Sequence, residues 1–357
     1  MQREIVKPIF FLIFIICVSL LSACEKNPVQ KTIPATTPSD EDVHQDVDEI
    51  KVGFLMDTLE EERWLKDKKM FKEAVEEIGA KVEIMEANGD EVLQITQAES
   101  LIKQGVDILV MVPYNAEAAG AIVQKAHLAG IKVISYDRLV KNAEIDLYIS
   151  FDNEKVGELQ AKVITELAPV GKYVYIGGAD TDYNAHLLKR GVFRVLKPYI
   201  DKGDIKVVYD QWTENWIPVN AYKNMEAALK ANHYDIDAVF AGNDATAEEA
   251  IKVLSQFGLA GKVPVAGQDA ELAAIRRIVE GTQTMTVYKP IRALATAAAE
   301  VAVRLANGES IETDSKINNG KIEVPSILLP PIPVDKLNID ETVIADGFHT
   351  KEEVYTD

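Results

Sequence analysis

The chain has 357 residues, enough for two α/β domains with full cores, because single cores stop growing before that size. Hydrophobic residues make up 47% and charged residues 27%, an ordinary composition, but 57 acidic against 38 basic side chains leave a net charge of −19, which repels phosphate backbones and argues against a nucleic-acid partner. Both cysteines, Cys17 and Cys24, lie at the extreme N-terminus, so the body can hold no disulfide, thiolate metal site or cysteine nucleophile; the five histidines lack paired ligand spacing, and no metal or cofactor is expected.

Arg3 and Lys7 precede the apolar run 9–21 (IFFLIFIICVSLL), a charged region followed by a hydrophobic one that falls short of the ~20 residues of a comfortable span. The run ends in Leu21-Ser22-Ala23-Cys24, and small residues before a cysteine resemble the bacterial lipoprotein signal. That resemblance implies a leader over 1–23, cleavage before Cys24, and lipid on Cys24 as the membrane anchor; the other reading is an ordinary signal or uncleaved anchor with an incidental cysteine. Residues 24–49 are rich in Pro, Thr and acid with almost no apolar periodicity, and read as a disordered tether.

From residue 50 strands and helices alternate. Residues 50–56 read as strand, 61–80 as helix, 81–87 as strand, 91–105 as helix, 108–113 as strand, 116–130 as helix, and 132–136 and 147–151 as strands. The alternation restarts with helices over 155–167, 184–200, 219–231, 246–258, 271–281 and 292–306. Strand-like stretches at 173–178, 207–212, 238–242, 263–267 and 285–288 separate them. The tail from 310, with Pro325, Pro330, Pro331 and Pro333, reads as irregular crossing and edge segments. Repeated strand–helix units imply parallel sheets with helices on both faces, and so many units imply two sheets. The expected division is a first lobe over 50–151 plus 290–313 and a second over 152–289 plus 314–357.

In open α/β sheets ligands bind beyond the carboxyl ends of the strands. The residues there are Asp57 leading to Arg63-Trp64, then Asp137-Arg138 and Asp152-Asn153, then Asp182 towards Asn184. Trp212 with Trp216 close behind, Asn243-Asp244, Gln268-Asp269 and Lys289-Pro290 complete the series. Planar and forked donors and acceptors satisfy sugar hydroxyls in pairs, and an indole face suits the C–H face of a pyranose. Each residue alone has a blander reading, since Asp and Asn at strand ends start turns and cap helices, and a tryptophan can be core. Their number favours a carbohydrate site, without choosing between Trp212 and Trp216.

Longer stretches carry a family resemblance: Glu62-Arg63-Trp64, Pro113-Tyr114-Asn115, Ser135-Tyr136-Asp137-Arg138, YISFDNEKVGELQA at 148–161, GNDATA at 242–247, GQDA at 267–270 and GTQTMTVYKP at 281–290. Over about 50–348 they resemble the D-xylose-binding branch of the ribose/galactose-type sugar-binding proteins that serve ABC transporters. The resemblance implies a type I periplasmic-binding-protein fold, two lobes joined by three crossing segments, with D-xylose closed between them. It implies sugar contacts from Arg63, Trp64, Asp137, Arg138, Asn184, Trp216, Asn243, Asp269 and Lys289, with Trp216 as the stacking partner. The partner it implies is an ABC permease; a membrane sensor kinase or chemoreceptor would use the same binding chemistry. An enzyme is not expected, because no nucleophile elbow, P-loop, GxGxxG turn or metal-ligand pair is present. A DNA-binding regulator is not expected either, since the leader and acidic tether stand where its helix-turn-helix would be.

Overall fold

The structure, a computed structural model, describes residues 49–313 and 315–355. The expected leader, Cys24 and all of the expected tether except Glu49 lie outside the described residues. The first lobe begins with β1 (Lys51–Met56), α1 (Glu62–Glu77), β2 (Lys81–Glu86), α2 (Glu91–Lys103), β3 (Ile108–Met111), α3 (Gly120–Leu128), β4 (Lys132–Tyr136) and β5 (Leu147–Phe151). The second is built from α4 (Asn153–Leu167), β6 (Gly171–Ile176), α5 (Tyr183–Lys202), β7 (Ile205–Gln211), α6 (Pro218–Ala231), β8 (Ala238–Ala241), α7 (Asp244–Gln256), β9 (Val265–Ala266), α8 (Leu272–Glu280) and β10 (Met285–Tyr288). The chain then returns through α9 (Ile291–Ala306) and ends in β11 (Ser315–Asn318), β12 (Glu323–Leu329), β13 (Ile332–Asp335) and α10 (Lys351–Tyr355).

Two sheets result. Seven strands run β11-β12-β5-β4-β3-β1-β2 and six run β13-β10-β9-β8-β6-β7, parallel except at the β11 and β13 edges. Side-chain alternation builds a core on each face. Val52, Phe54 and Met56 of β1 pack with α1 and α9, while Leu55 faces α2 and α3. On the second sheet α4 and α5 meet backbone to backbone: a Cβ on Gly157 would sit 2.0 Å from the Leu188 carbonyl oxygen, and one on Gly191 2.0 Å from that of Glu154.

The chain crosses between the sheets three times, at Asp152, at Lys289-Pro290 and at Pro330-Pro331. This matches the expected architecture and corrects its tail. The stretch from 314 was assigned wholly to the second lobe, but β11 and β12 join the first sheet, and the second lobe regains the chain only at β13. Pro325 made the stretch read as irregular; it sits one residue ahead of Ser326–Leu329, the part of β12 that pairs with β5. The expected helix over 116–130 is also shorter, because the Asn115 carboxamide accepts from the amides of Glu117 (3.0 Å) and Ala118 (3.2 Å) and holds a turn before α3. No helix among the described residues is long and apolar enough to cross a membrane.

Candidate functional site

The carboxyl ends of both sheets face one small cavity lined by polar and aromatic side chains. All nine expected site residues line it. Arg63 and Trp64 come from the first turn of α1, and Asp137-Arg138 from the turn after β4. Asn184 opens α5, Trp216 follows β7, Asn243 follows β8, Asp269 follows β9, and Lys289 stands on a crossing segment. Of the two tryptophans Trp216 lines the cavity and Trp212 does not; the Trp212 ring packs on His186 at 4.8 Å. Asp152, Asn153 and Asp244, also at strand ends, stay outside the cavity. Glu61, Asp182 and Gln268 complete the lining and were not among the expected contacts. Asp182 and Gln268 had been visible as strand-end residues, whereas Glu61, in the acidic run 60–62, had been marked only as the start of a helix.

The charges are matched within the protein. Arg63 Nη2 lies 2.9 Å from Asp137 and 3.2 Å from Asp67, and its Nη1 lies 3.4 Å from Asp269. Arg138 pairs with Asp57 through Nη1 and, at 2.9 Å through Nε, with Asp182. Lys289 Nζ lies 3.2 Å from Asp269. Burial alone would raise the Asp137 carboxyl, but Arg63, Lys289 and Arg138 outweigh it and hold the group below the usual carboxylate range. Burial wins at Asp67, pushed up to about 6 despite Arg63, and also raises Asp57 and Glu61 despite Arg138. With every lining cation already paired to a carboxylate, the site has no cation left for an anionic ligand. It suits a neutral, hydroxyl-rich one. Two buried acceptors in the wall, Glu61 Oε2 and Gln268 Oε1, have no hydrogen-bond partner among the described residues, and hydroxyl donors would supply one.

Aromatic surface is contributed by both lobes. The Trp64 ring carries the Arg63 guanidinium at 4.2 Å and that of Arg138 at 5.1 Å. Trp216 lies against Gly178 so closely that a Cβ there would fall 2.0 Å from its Cη2, and its indole N–H donates to Asp182 at 3.2 Å. Asp137 (φ 59°), Trp216 (φ 58°) and Asp269 (φ 92°) adopt left-handed backbone that costs about 1–3 kcal/mol at a non-glycine residue. Such strain gathered around one cavity marks a functional site.

Polar contacts join the lobes around the cavity. Asn184 of α5 donates to the Asp137 carbonyl at 3.0 Å and to its carboxylate at 3.1 Å. Leu272 N of α8 donates to Glu62 of α1 at 3.0 Å, and Tyr114 to Asn215 at 3.1 Å. The lobes are therefore closed on the site. Among the described residues no group of three or more His, Cys, Asp or Glu side chains is placed to hold a metal ion.

A model of the periplasmic binding protein domain matches residues 52–310. The D-xylose-binding periplasmic protein of Escherichia coli is 54% identical over 306 residues, covering 86% of this chain and 93% of that protein. The protein of the same name from Haemophilus influenzae is 53% identical over 307 residues, covering 86% and 92%. A carbohydrate transporter solute-binding protein from Chloroflexus aurantiacus, solved with D-glucose, superposes with a TM-score of 0.79 at 32% identity, covering 85% of this chain and 98% of that one. These relatives are named for the sugars they bind and not for a reaction, and this chain, like them a binding protein, is not an enzyme. Two sheets closed on one polar cavity, a family model spanning both and relatives at this identity lead to one assignment: the chain belongs to the periplasmic binding protein family.

Proposed function

We propose that this protein is an extracytoplasmic receptor that closes its two lobes around D-xylose and delivers it to an ABC permease. The observation that carries the reading is the closed cavity whose cations are all paired internally, with a tryptophan from each lobe and spare buried acceptors, a chemistry suited to a neutral monosaccharide. The names of the two relatives above 50% identity support xylose in particular. In this reading Arg63, Trp64, Asp137 and Arg138 hold the sugar from the first lobe, and Asn184, Trp216, Asn243 and Asp269 from the second, with Lys289 between them. Sugar bridging both lobes favours the closed state through contacts the open state lacks.

A thermal-shift series across pentoses and hexoses tests this, because a ligand that binds only the folded form raises its stability by about 2.7 kcal/mol at a hundredfold excess over Kd. D-xylose should give the largest rise in Tm. No rise with any monosaccharide, or a larger one with a hexose, overturns the assignment. The location rests on Cys24 as a lipid anchor, and Cys24→Ala should release the protein from the membrane fraction. Capture of the xylose-loaded protein on membranes should recover a permease; recovery of a sensor kinase or chemoreceptor instead would replace delivery with signalling.

A further inference from the structure

Asp244 stands at a strand end beside Asn243, yet it stays outside the cavity, so sugar contact does not account for it. Helix capping does not either, since the Asn243 side chain already caps α7 by accepting from the Thr246 amide at 2.8 Å. The Asp244 carboxylate is fully buried, a costly place for a charge, and its hydrogen bonds reach other elements of the second lobe. Its Oδ1 accepts from Gln283 Nε2 at 2.8 Å. Its Oδ2 accepts from the Thr286 hydroxyl of β10 at 2.8 Å and from the Glu271 amide at 3.1 Å.

These contacts enclose the turn after β9 that carries Gln268 and Asp269 into the cavity wall. At one end of the turn the Asp244 amide donates to the Gln268 carbonyl at 3.0 Å. At the other end the Glu271 amide donates to the Asp244 carboxylate. Between them the Ala270 amide donates, at 3.2 Å, to the same Thr286 hydroxyl that Asp244 holds. Asp269 and Ala270 both adopt left-handed backbone (φ 92° and 53°), and such residues persist only where their surroundings over-determine them. Asp244 and the hydroxyl it orients grip the turn before, within and after that strained pair.

We infer that Asp244 is a positioning residue for sugar binding, which touches no sugar and acts through Asp269 by holding the strained turn 268–270 in the shape that aims Asp269 at the cavity. This rests on the pentose reading of the cavity and deepens it. Asp244→Asn breaks the arrangement with little change of shape. Its amide nitrogen must face either Gln283 Nε2 or the Glu271 amide, donor against donor. Gln283 cannot turn over in response without giving up Arg277 Nε, which donates to its Oε1 at 3.0 Å. Adding Gln283→Glu puts an acceptor opposite the new amide and keeps one for Arg277; the Met285 carbonyl alone loses the donor it had in Gln283.

The test is calorimetry with D-xylose on the parent and the variants, with Tm of each sugar-free protein as the check on folding. Asp244→Asn should weaken D-xylose at least about tenfold, and Asp244→Asn with Gln283→Glu should recover at least about threefold of that loss. In an Asp269→Ala background Asp244→Asn should cost no more than about threefold, because the group it positions is gone. Thr286→Val, which removes the shared hydroxyl and keeps the shape, should weaken D-xylose at least about threefold, and it decides the matter if Asp244→Asn does not fold. A lowered Tm with Kd within about threefold of the parent's, or an equal loss with and without Asp269, makes Asp244 a stabilising residue only and leaves the pentose reading intact. Failure of the parent to bind D-xylose overturns the pentose reading itself, and the positioning role with it.

Discussion

Asp269→Ala isolates the charge balance on which sugar binding depends. One oxygen of this carboxylate lies 3.2 Å from Lys289 Nζ and 3.4 Å from Arg63 Nη1. Arg63 keeps Asp137 and Asp67 after the substitution, but Lys289, 3% exposed, has no other ion pair among the described residues. Truncating one partner of a buried, hydrogen-bonded charge pair costs about 2–5 kcal/mol, much of it the penalty on the charge left behind. Opening of the lobes lets water reach Lys289, which shares that penalty between open and closed states, so the low end applies. About 2 kcal/mol corresponds to a loss of about thirtyfold in affinity. Calorimetric titration with D-xylose at neutral pH measures it, and Tm of the sugar-free variant checks folding. Asp269→Asn, which keeps the shape and one acceptor, should fall between parent and Ala variant. A Kd for Asp269→Ala within about threefold of the parent's, under about 0.7 kcal/mol, would refute the argument.

Gly178→Ala should weaken D-xylose by at least about tenfold, because its Cβ would occupy space held by the Trp216 ring and displace that ring from the cavity wall. Unchanged affinity by calorimetry would remove Trp216 from the site. A pH effect follows from Glu271, whose carboxyl is pushed up to about 9, first by burial and then by Asp244, Asp269 and Glu62, with Arg277 opposing. Its folded value lies above its unfolded one, so the folded protein holds the extra proton from about 4.5 to about 9, and this group's contribution to stability falls as pH rises through that window. Glu271→Gln should therefore raise Tm at pH 8 and change it little at pH 5; equal shifts at the two pH values would show that Glu271 does not titrate in this way.

Most of the fold was legible because each βα unit repeats one physical pattern. The run Ile108–Met111 is buried throughout, as a strand covered on both faces must be, and Gly79, Gly203 and Gly281 close their helices in left-handed backbone. The tail was not legible for the converse reason. β11 is a four-residue edge strand of alternating half-buried and exposed residues, and β12 contains Pro325, so neither carries the apolar run that identified the inner strands. Pairing with β5, a partner more than 170 residues earlier in the chain, brings β12 into the sheet, and β11 joins it only through β12. Asp57 stood out only as a strand-end residue and Asp67 not at all, because their role is indirect. Asp67 meets Arg63 one helical turn away on α1, whereas no local pattern says that Asp57 will meet Arg138, 81 residues further on.

The two readings of strand-end acids, helix cap or ligand contact, turn out not to compete. Asp152, Asp182 and Asn243 all cap helices, accepting from the amides of Lys155, Asn184 and Thr246. What separates them is where the rest of the side chain is aimed. Asp182 spends Oδ1 on the cap of α5, and its Oδ2 is left to meet Arg138 Nε of the first lobe and Trp216 Nε1 of its own. One carboxylate thereby fixes a helix start, positions the aromatic wall and takes a charge from the opposite lobe, and only the last of these depends on closure. A βα unit places a capping acid at the carboxyl end of its strand for reasons of helix stability alone. Where two such sheets face each other, a cap whose second oxygen is aimed at the gap, as at Asp182, needs little more than partners on the other side to become part of a binding site.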